Sequence, residues 1–256
     1  MSDEVGPERI DPAELERRLQ MPLVEAMQTQ RAVRRLRPDP VDDAVVLRCI
    51  ELALKAPTGS NGQNWEFVVV KDRTLKAALG RQYRKAWRLY GRVGEWLLSG
   101  GDSGPAAVLR KMLGARGADP AEAESTRRIM RAVQWQVDHF EDVPVVVVAC
   151  LRGGRIPLLP APPVAVSSFY GSIYPSVQNL LLAARAVGLG ASLVTLPLWS
   201  TTAVRRILGL PWDVHPCCVV PMGWPKGRYG PTRRRPVGQV VHLDRFGNRP
   251  WAGGGR

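Results

Sequence analysis

Val143-Pro144-Val145-Val146-Val147-Val148-Ala149-Cys150-Leu151 carries no charge and no alternation of polar with apolar positions. A strand with one face in water alternates, so a continuous β-branched run predicts a central strand buried on both faces. Working outward, Trp65 to Val70 reads as a strand rich in β-branched and aromatic residues. Ala191 to Leu196 reads as another, and Cys217 to Pro221 as a further buried strand. Helical patterns lie between them. Val46, Ile50, Ala53 and Leu54 fall at helical spacing after Asp42, a side chain suited to an N-cap, and Pro57 stops the helix because it lacks an N–H. Phe169 to Val187 reads as one long, nearly uncharged and therefore buried helix, closed by Gly188-Leu189-Gly190. Ser200 to Leu208 reads as a short capped helix. These elements imply an α+β sandwich in which helices cover a central sheet of about four or five strands.

The flanks carry less pattern. Residues up to about Asp11 are expected to be disordered, and Pro12 opens a helix through Leu15 and Leu19 that Pro22 interrupts. A second helix runs from Leu23 through Met27. The N-terminal extension is thus set at residues 1–22, the main domain at 23–245 and a C-terminal tail at 246–256. Residues 75–140 are mostly helical in character, with Gly/Ser/Asp-rich gaps at 99–104 and 114–119, and form a candidate insertion or lid. Arg152 to Pro163 is a Pro/Gly-rich loop.

Composition bounds the function. The chain has 256 residues, 45% of them hydrophobic, and can bury a large core. Its formal charge of +13 favours anionic partners through long-range steering. The surplus is uneven: residues 1–25 are acidic, whereas Lys76 to Arg92 and Lys226 to Arg235 are strongly basic. The four cysteines lie in apolar runs without CxxC or ligand-spaced histidines, which reads as buried reduced thiols in a cytoplasmic protein, with no metal site. No apolar run approaches the ~18–20 residues of a membrane span, and the acidic start lacks the order of a signal peptide. GxxxxGK[ST], HExxH and GxSxG are all absent. Gly188-Leu189-Gly190 leaves a helix for a strand, the reverse of a dinucleotide fingerprint. No helix-turn-helix, zinc finger or aromatic RNA-binding strand is recognisable, so no nucleic-acid partner is expected despite the charge.

Three segments carry polar chemistry. Ala56-Pro57-Thr58-Gly59-Ser60-Asn61-Gly62-Gln63-Asn64-Trp65-Glu66-Phe67 joins a helix to a strand and is rich in carboxamides and hydroxyls. It offers tight turns and neutral hydrogen bonds with no acid–base catalyst before Glu66, which suits a flat polar ligand; read alone, it is equally a plain connection. Gln30-Arg31-Ala32-Val33-Arg34-Arg35-Leu36-Arg37 clusters arginines whose guanidinium groups bind phosphate through bidentate hydrogen bonds, although a solvated basic face would look the same. Pro231-Thr232-Arg233-Arg234-Arg235-Pro236 is a second basic cluster, followed by the apolar pair Val240-Val241. A shared phosphate site requires the fold to bring these distant clusters together.

In order along the chain, these segments resemble the motifs of the nitroreductase family of FMN-dependent oxidoreductases. Gln30 to Arg34 resembles R-R-S-x-R, and Ala56 to Phe67 resembles A-P-S-x-x-N-x-Q-P-W-x-F. Ser176-Val177-Gln178-Asn179-Leu180-Leu181-Leu182-Ala183-Ala184 with Gly188-Leu189-Gly190 resembles the Q-N-L-L-L-A-A…G-L-G helix. Gly223-Trp224-Pro225 and Arg233 to Pro236 resemble the G-x-P and K-R-K-P elements before the family's last strand. The resemblance implies an α-β-α sandwich in an intertwined homodimer with flavin sites at the interface. It implies that Arg31, Arg34 and Arg234 grip the FMN phosphate, with Ala32 at the position of the motif's serine. It implies that Thr58, Ser60, Asn61 and Gln63 reach the flavin from the dimer mate, and that Val194, Thr195 and Leu196 lay backbone against it. NADH or NADPH is the implied reductant, and a nitroaromatic, quinone or related small molecule the acceptor. Gln30, Ala32 and Asn64 depart from the family pattern, and Ala32 removes a hydroxyl donor to phosphate. That departure keeps open a flavin-binding storage or sensor protein without turnover. Trp87, Tyr90 and Trp96 could cover the substrate pocket or simply pack in a helical core.

Overall fold

A computed structural model of the chain describes residues 10–99, 120–153, 163–232 and 234–252. The expected disorder of residues 1–9, the gaps at 99–104 and 114–119 and most of the 152–163 loop lie outside those residues, apart from their edges. The helices are α1 (Pro12–Leu19), α2 (Leu23–Thr29), α3 (Asp43–Ala53), α4 (Arg73–Ser99), α5 (Pro120–Asp138), α6 (Pro163–Gly171), α7 (Tyr174–Ala186) and α8 (Thr201–Leu208). The strands are β1 (Trp65–Val70), β2 (Val145–Arg152), β3 (Gly190–Ala191) and β4 (Val214–Gly223), in the order β1-β2-β4-β3 with antiparallel pairing throughout.

β2 is the central strand that its sequence announces. Val145, Val147, Ala149 and Leu151 feed one core cluster, while Val146, Val148 and Cys150 feed the other. The first cluster is closed by α1, α3 and α7, through residues such as Leu15, Val46, Cys49, Val177 and Leu180. The second is closed by α4 and α5, through Leu79, Tyr83 and Val137, together with Val204 of α8. The helical block of residues 75–140 therefore supplies much of one covering layer. Helical layers on both faces explain why an antiparallel strand here loses its alternation.

Local signals place the helix ends. Asp42 caps α3 by accepting from the Ala44 N–H at 2.9 Å. Gly188, at φ +91°, ends the turn after α7, a conformation that favours glycine. Two expectations are corrected. The single helix from Phe169 to Val187 is broken at Ser172-Ile173, because Pro175 in the first turn of α7 cannot continue a helix from α6. The strand from Ala191 to Leu196 is only Gly190–Ala191: Ser192 donates its N–H to Pro221 O, Val194 makes one isolated bridge to Val219, and Leu196–Leu198 curls into a 3-10 turn. Beyond the second basic cluster, Val237–Gln239 is likewise a 3-10 turn and Val240 is exposed, so the protomer forms no strand there.

Candidate functional site

The site is built at the β3 edge of the sheet. After α2 the chain runs extended, with Ala32 bridged in parallel to Ala191 and Leu36 bridged to Pro225. The Val33 N–H donates to Ala191 O, Arg37 N–H to Trp224 O, and Lys226 N–H to Arg35 O. This threading needs a glycine in β3, and the glycine facing it in β4 makes room for Pro144. A Cβ on Gly190 would lie 2.7 Å from Val33 Cγ1, and one on Gly223, its partner across β3 and β4, 2.6 Å from Pro144 Cγ. Leu36 is thereby buried, and the arginines on either side of it turn away from the core.

Arg31, Arg34 and Arg35 line a cavity of about 520 Å³, joined by Lys226 and Arg228 from the chain after β4 and by Trp135 from α5. None of the five cations makes an ion pair among the described residues. Arg31 and Arg35 are exposed, while Arg34 is half-buried. Burial pulls the Arg34 guanidinium below its ordinary value, with the Arg31 charge acting the same way and Tyr83 acting against it. Such a guanidinium remains charged at neutral pH. Lys226 Nζ lies 4.9 Å from the centroid of the Trp135 ring, which stacks on His139. Beneath, Tyr83 Oη donates to Gln136 Oε1 at 3.4 Å and Gln136 Nε2 donates to Ser192 Oγ at 2.8 Å, so the buried polar groups that tie α4 and α5 to the β3 edge are partnered.

Two buried side-chain polar atoms among the described residues have no partner: Arg34 Nε and Tyr229 Oη. Both residues line this one cavity. A pocket that gathers cations and leaves donors unmatched is a site shaped for an anion with several acceptor oxygens. A phosphate-bearing ligand fits that donor set, and the volume suits a small cofactor.

The loop before β1 is built differently. Ser60, Asn61 and Gln63 have φ of +52°, +53° and +45°, left-handed conformations unusual for residues other than glycine. The loop closes on itself: Gln63 N–H donates to Thr58 Oγ1, and Gln63 Nε2 donates to Asn61 Oδ1, each at 3.2 Å. It is pinned where α6 meets α7, the Gly59 N–H donating to Ser172 Oγ at 3.2 Å. Ser60, Asn61 and Gln63 are exposed and Thr58 half-buried. Asn64, where the family pattern has proline, donates through Nδ2 to Arg152 O and accepts the Arg152 N–H at Asn64 O, so it anchors the start of β1 to the end of β2.

Topology separates the loop from the cavity. Trp65 pairs with Leu151 on the β1 edge, at the end of the sheet where β4 begins, whereas the cavity lies on the β3 edge where β4 ends. One protomer thus gathers Arg31, Ala32 and Arg34, with Val194, Thr195 and Leu196 on the same edge of the sheet, but not Thr58, Ser60, Asn61 or Gln63. The Val194 N–H and carbonyl both bond Val219, and Thr195 is exposed. The start of the second basic segment reaches the end of α2 within one protomer: Thr232 donates its N–H and its hydroxyl to Gln28 O. Arg234 is exposed and is not in the cavity wall; Lys226 and Arg228 are. Sequence reasoning overlooked those two, although their basic run was visible, and overlooked Tyr229, for which no signal existed. Trp87 stacks on Tyr90 and lines a separate cavity between α4 and α5; the Trp96 side chain lies outside the described residues.

Residues 27–224 match the sequence pattern of the nitroreductase family. The chain belongs to that family. It is 29% identical over 212 residues to an NADH dehydrogenase of Thermus thermophilus, covering 83% of this chain and 91% of that protein. The nitroreductase fold is also seen in iodotyrosine deiodinase bound to FMN and 3-iodo-L-tyrosine, at 19% identity, TM-score 0.61, and coverage of 88% of this chain and 100% of that one. It recurs in nitroreductase A of Vibrio parahaemolyticus, at 18% identity, TM-score 0.59, and coverage of 87% and 75% respectively. Membership places this nitroreductase-family chain among the oxidoreductases, and the sandwich expected from its sequence is the fold it has.

Proposed function

We propose that this chain is an FMN-dependent oxidoreductase that takes hydride from NADH or NADPH and passes the electrons to a nitroaromatic, quinone or related small acceptor. The observation that carries the reading is the cavity at the β3 edge, where five cations without ion-pair partners among the described residues and two buried donors unmatched there converge. Arg31 and Arg34 hold the phosphate there, helped by Lys226 and Arg228, and Arg234 follows close by on the chain that Thr232 ties to Gln28. Val194, Thr195 and Leu196 present backbone along the same edge. When bound, the flavin supplies the hydride transfer, which is why no acid–base side chain stands out.

The carboxamide loop completes the site from a second copy of the chain. Its Thr58, Ser60, Asn61 and Gln63 are too far around the sheet to serve the cavity of their own protomer, yet Ser60, Asn61 and Gln63 are held in a strained backbone shape that a plain connection does not need. Exposed Leu23, Val24, Met27 and Leu47 on α2 and α3, with Trp199 and Trp212 flanking α8, supply apolar surface for such a homodimer. The four cysteines are buried free thiols, which accords with a reducing, cytoplasmic setting. No described helix is long and apolar enough to cross a membrane.

An absorbance spectrum of the purified protein, followed by anaerobic reduction with each nicotinamide, tests the reading. A yellow protein bleached by NADH or NADPH is expected; a colourless protein that takes up no added FMN refutes it. Ala32, which lacks the motif's hydroxyl, favours a second reading as a flavin store or sensor. Stopped-flow reduction within seconds excludes that alternative.

A further inference from the structure

The family motif places a serine hydroxyl where this chain has Ala32, so one phosphate donor is missing from the segment that should carry it. Ala32 is exposed and lies in the cavity wall. In the same wall, from a different part of the chain, stands Tyr229, whose hydroxyl is buried and makes no hydrogen bond among the described residues. A buried hydroxyl without a partner forfeits a hydrogen bond that water would have given it, and a site tolerates this where a ligand restores the bond.

The ring is held in place. The Arg185 guanidinium lies 4.0 Å from its centroid, while Arg185 itself donates through Nε to Thr29 Oγ1 at 2.8 Å and pairs with Glu25 at 3.5 Å. Arg185 is thus engaged by α2 and serves to clamp the ring. The backbone is held too, because Thr232 is tied to Gln28 O and Arg31 Nη1 lies 4.0 Å from where a Cβ on Gly230 would be. Arg31 and the 229–230 segment are therefore neighbours in one wall.

We propose that the Tyr229 hydroxyl donates to the phosphate of the bound cofactor and takes over the role of the hydroxyl missing at Ala32. The inference rests on the FMN reading above. The cations supply the attraction for the anion and the guanidinium forks part of its orientation; the fixed Tyr229 hydroxyl adds one more directional bond, to an oxygen that lies along its O–H direction. Burial also pushes the Tyr229 phenol up to about 12, against the opposing effect of Arg185, so it keeps its proton throughout the working range.

The test is a fluorescence titration of wild type, Y229F, A32S and the Y229F/A32S double variant with FMN and, in parallel, with riboflavin, which lacks the phosphate. Thermal midpoints confirm that each variant folds. Y229F is expected to weaken FMN about tenfold, in line with loss of one charge-assisted hydrogen bond, and to leave riboflavin unchanged. A32S in the Y229F background is expected to recover most of the loss. The ³¹P resonance of bound FMN should differ between wild type and Y229F. Unchanged FMN affinity in Y229F, or an equal loss for both ligands, overturns the inference while leaving the FMN reading intact. A wild type that binds FMN no better than riboflavin overturns the phosphate site itself, and the inference with it.

Discussion

The β3 edge and the loop before β1 differ in charge, burial and backbone strain. At the β3 edge five cations converge, Arg34 and Tyr229 are partly withdrawn from water, and an extended segment is fixed by ladder-like hydrogen bonds to β3 and the end of β4. At the loop the side chains are neutral and exposed, and the fixed feature is the backbone, with Ser60, Asn61 and Gln63 all at positive φ. One region gathers cations inside a single chain, as an anion site requires. The other presents neutral groups on the opposite edge of the sheet. In the function proposed above, the first meets the phosphate of a flavin cofactor and the second, from a partner copy, its flat polar ring.

The largest break in that comparison should come from Arg34→Ala. Removing a half-buried guanidinium should cost on the order of 100-fold in FMN affinity, since charge-assisted pairs are worth about 1.5–3 kcal/mol each, with little change for riboflavin. Calorimetric titration with both ligands measures it, and equal losses would show that Arg34 acts on packing instead of phosphate. Replacing Asn61 and Gln63 together by Ala should give the opposite pattern: roughly tenfold weaker binding of FMN and riboflavin alike, at about 0.5–1.5 kcal/mol per neutral hydrogen bond.

A smaller effect separates stability from binding. Gln63→Gly removes the side-chain penalty of a left-handed φ, worth up to about 1 kcal/mol, so the thermal midpoint should rise by a few degrees while flavin affinity falls. A lower midpoint would mean that the Gln63–Asn61 hydrogen bond outweighs the strain. The smallest effect concerns α1, which reaches the arginine side of the sheet through an Arg18 hydrogen bond to Val187 O at 3.3 Å. Hydrogen bonds from Arg17 and then Arg18 lower the Glu14 carboxyl from 4.5 to about 2. A depressed carboxyl stabilises the fold above its unfolded value and ceases to do so as pH falls toward the folded one. Hydrogen-exchange protection factors, corrected for the intrinsic rate at each pH, should therefore fall in α1 between pH 4.5 and about 2, ahead of those in β2; simultaneous loss would show that α1 is no separate unit.

Much of this is legible in the chain itself. β2 follows from an uninterrupted apolar run, α3 from Asp42 and its apolar spacing, and the arginine segment from composition alone. Motif order identifies the family, because several weak patterns in the right sequence are together specific. Other parts are hidden for physical reasons. A proline in a first helical turn leaves the apolar pattern of α6 and α7 continuous, so no change of pattern marks the break at Ser172-Ile173. The strand expected from Ala191 to Leu196 has the right residues, but its pairing with β4 thins to single contacts at Ser192 and Val194 before the chain curls at Leu196–Leu198.

By itself, then, the sequence determined the layers, the central strand and the chemistry of the two polar segments, since burial pattern and side-chain type are local properties of the chain. Only the tertiary structure decided which polar groups share a wall. It brought Lys226, Arg228 and Tyr229 to Arg31 and Arg34 through Gly190, Gly223 and the Thr232–Gln28 hydrogen bonds, and it set the carboxamide loop at the far corner of the sheet. Those are contacts between residues nearly 200 positions apart, fixed by strand order and close backbone approach, and no spacing along the chain encodes them.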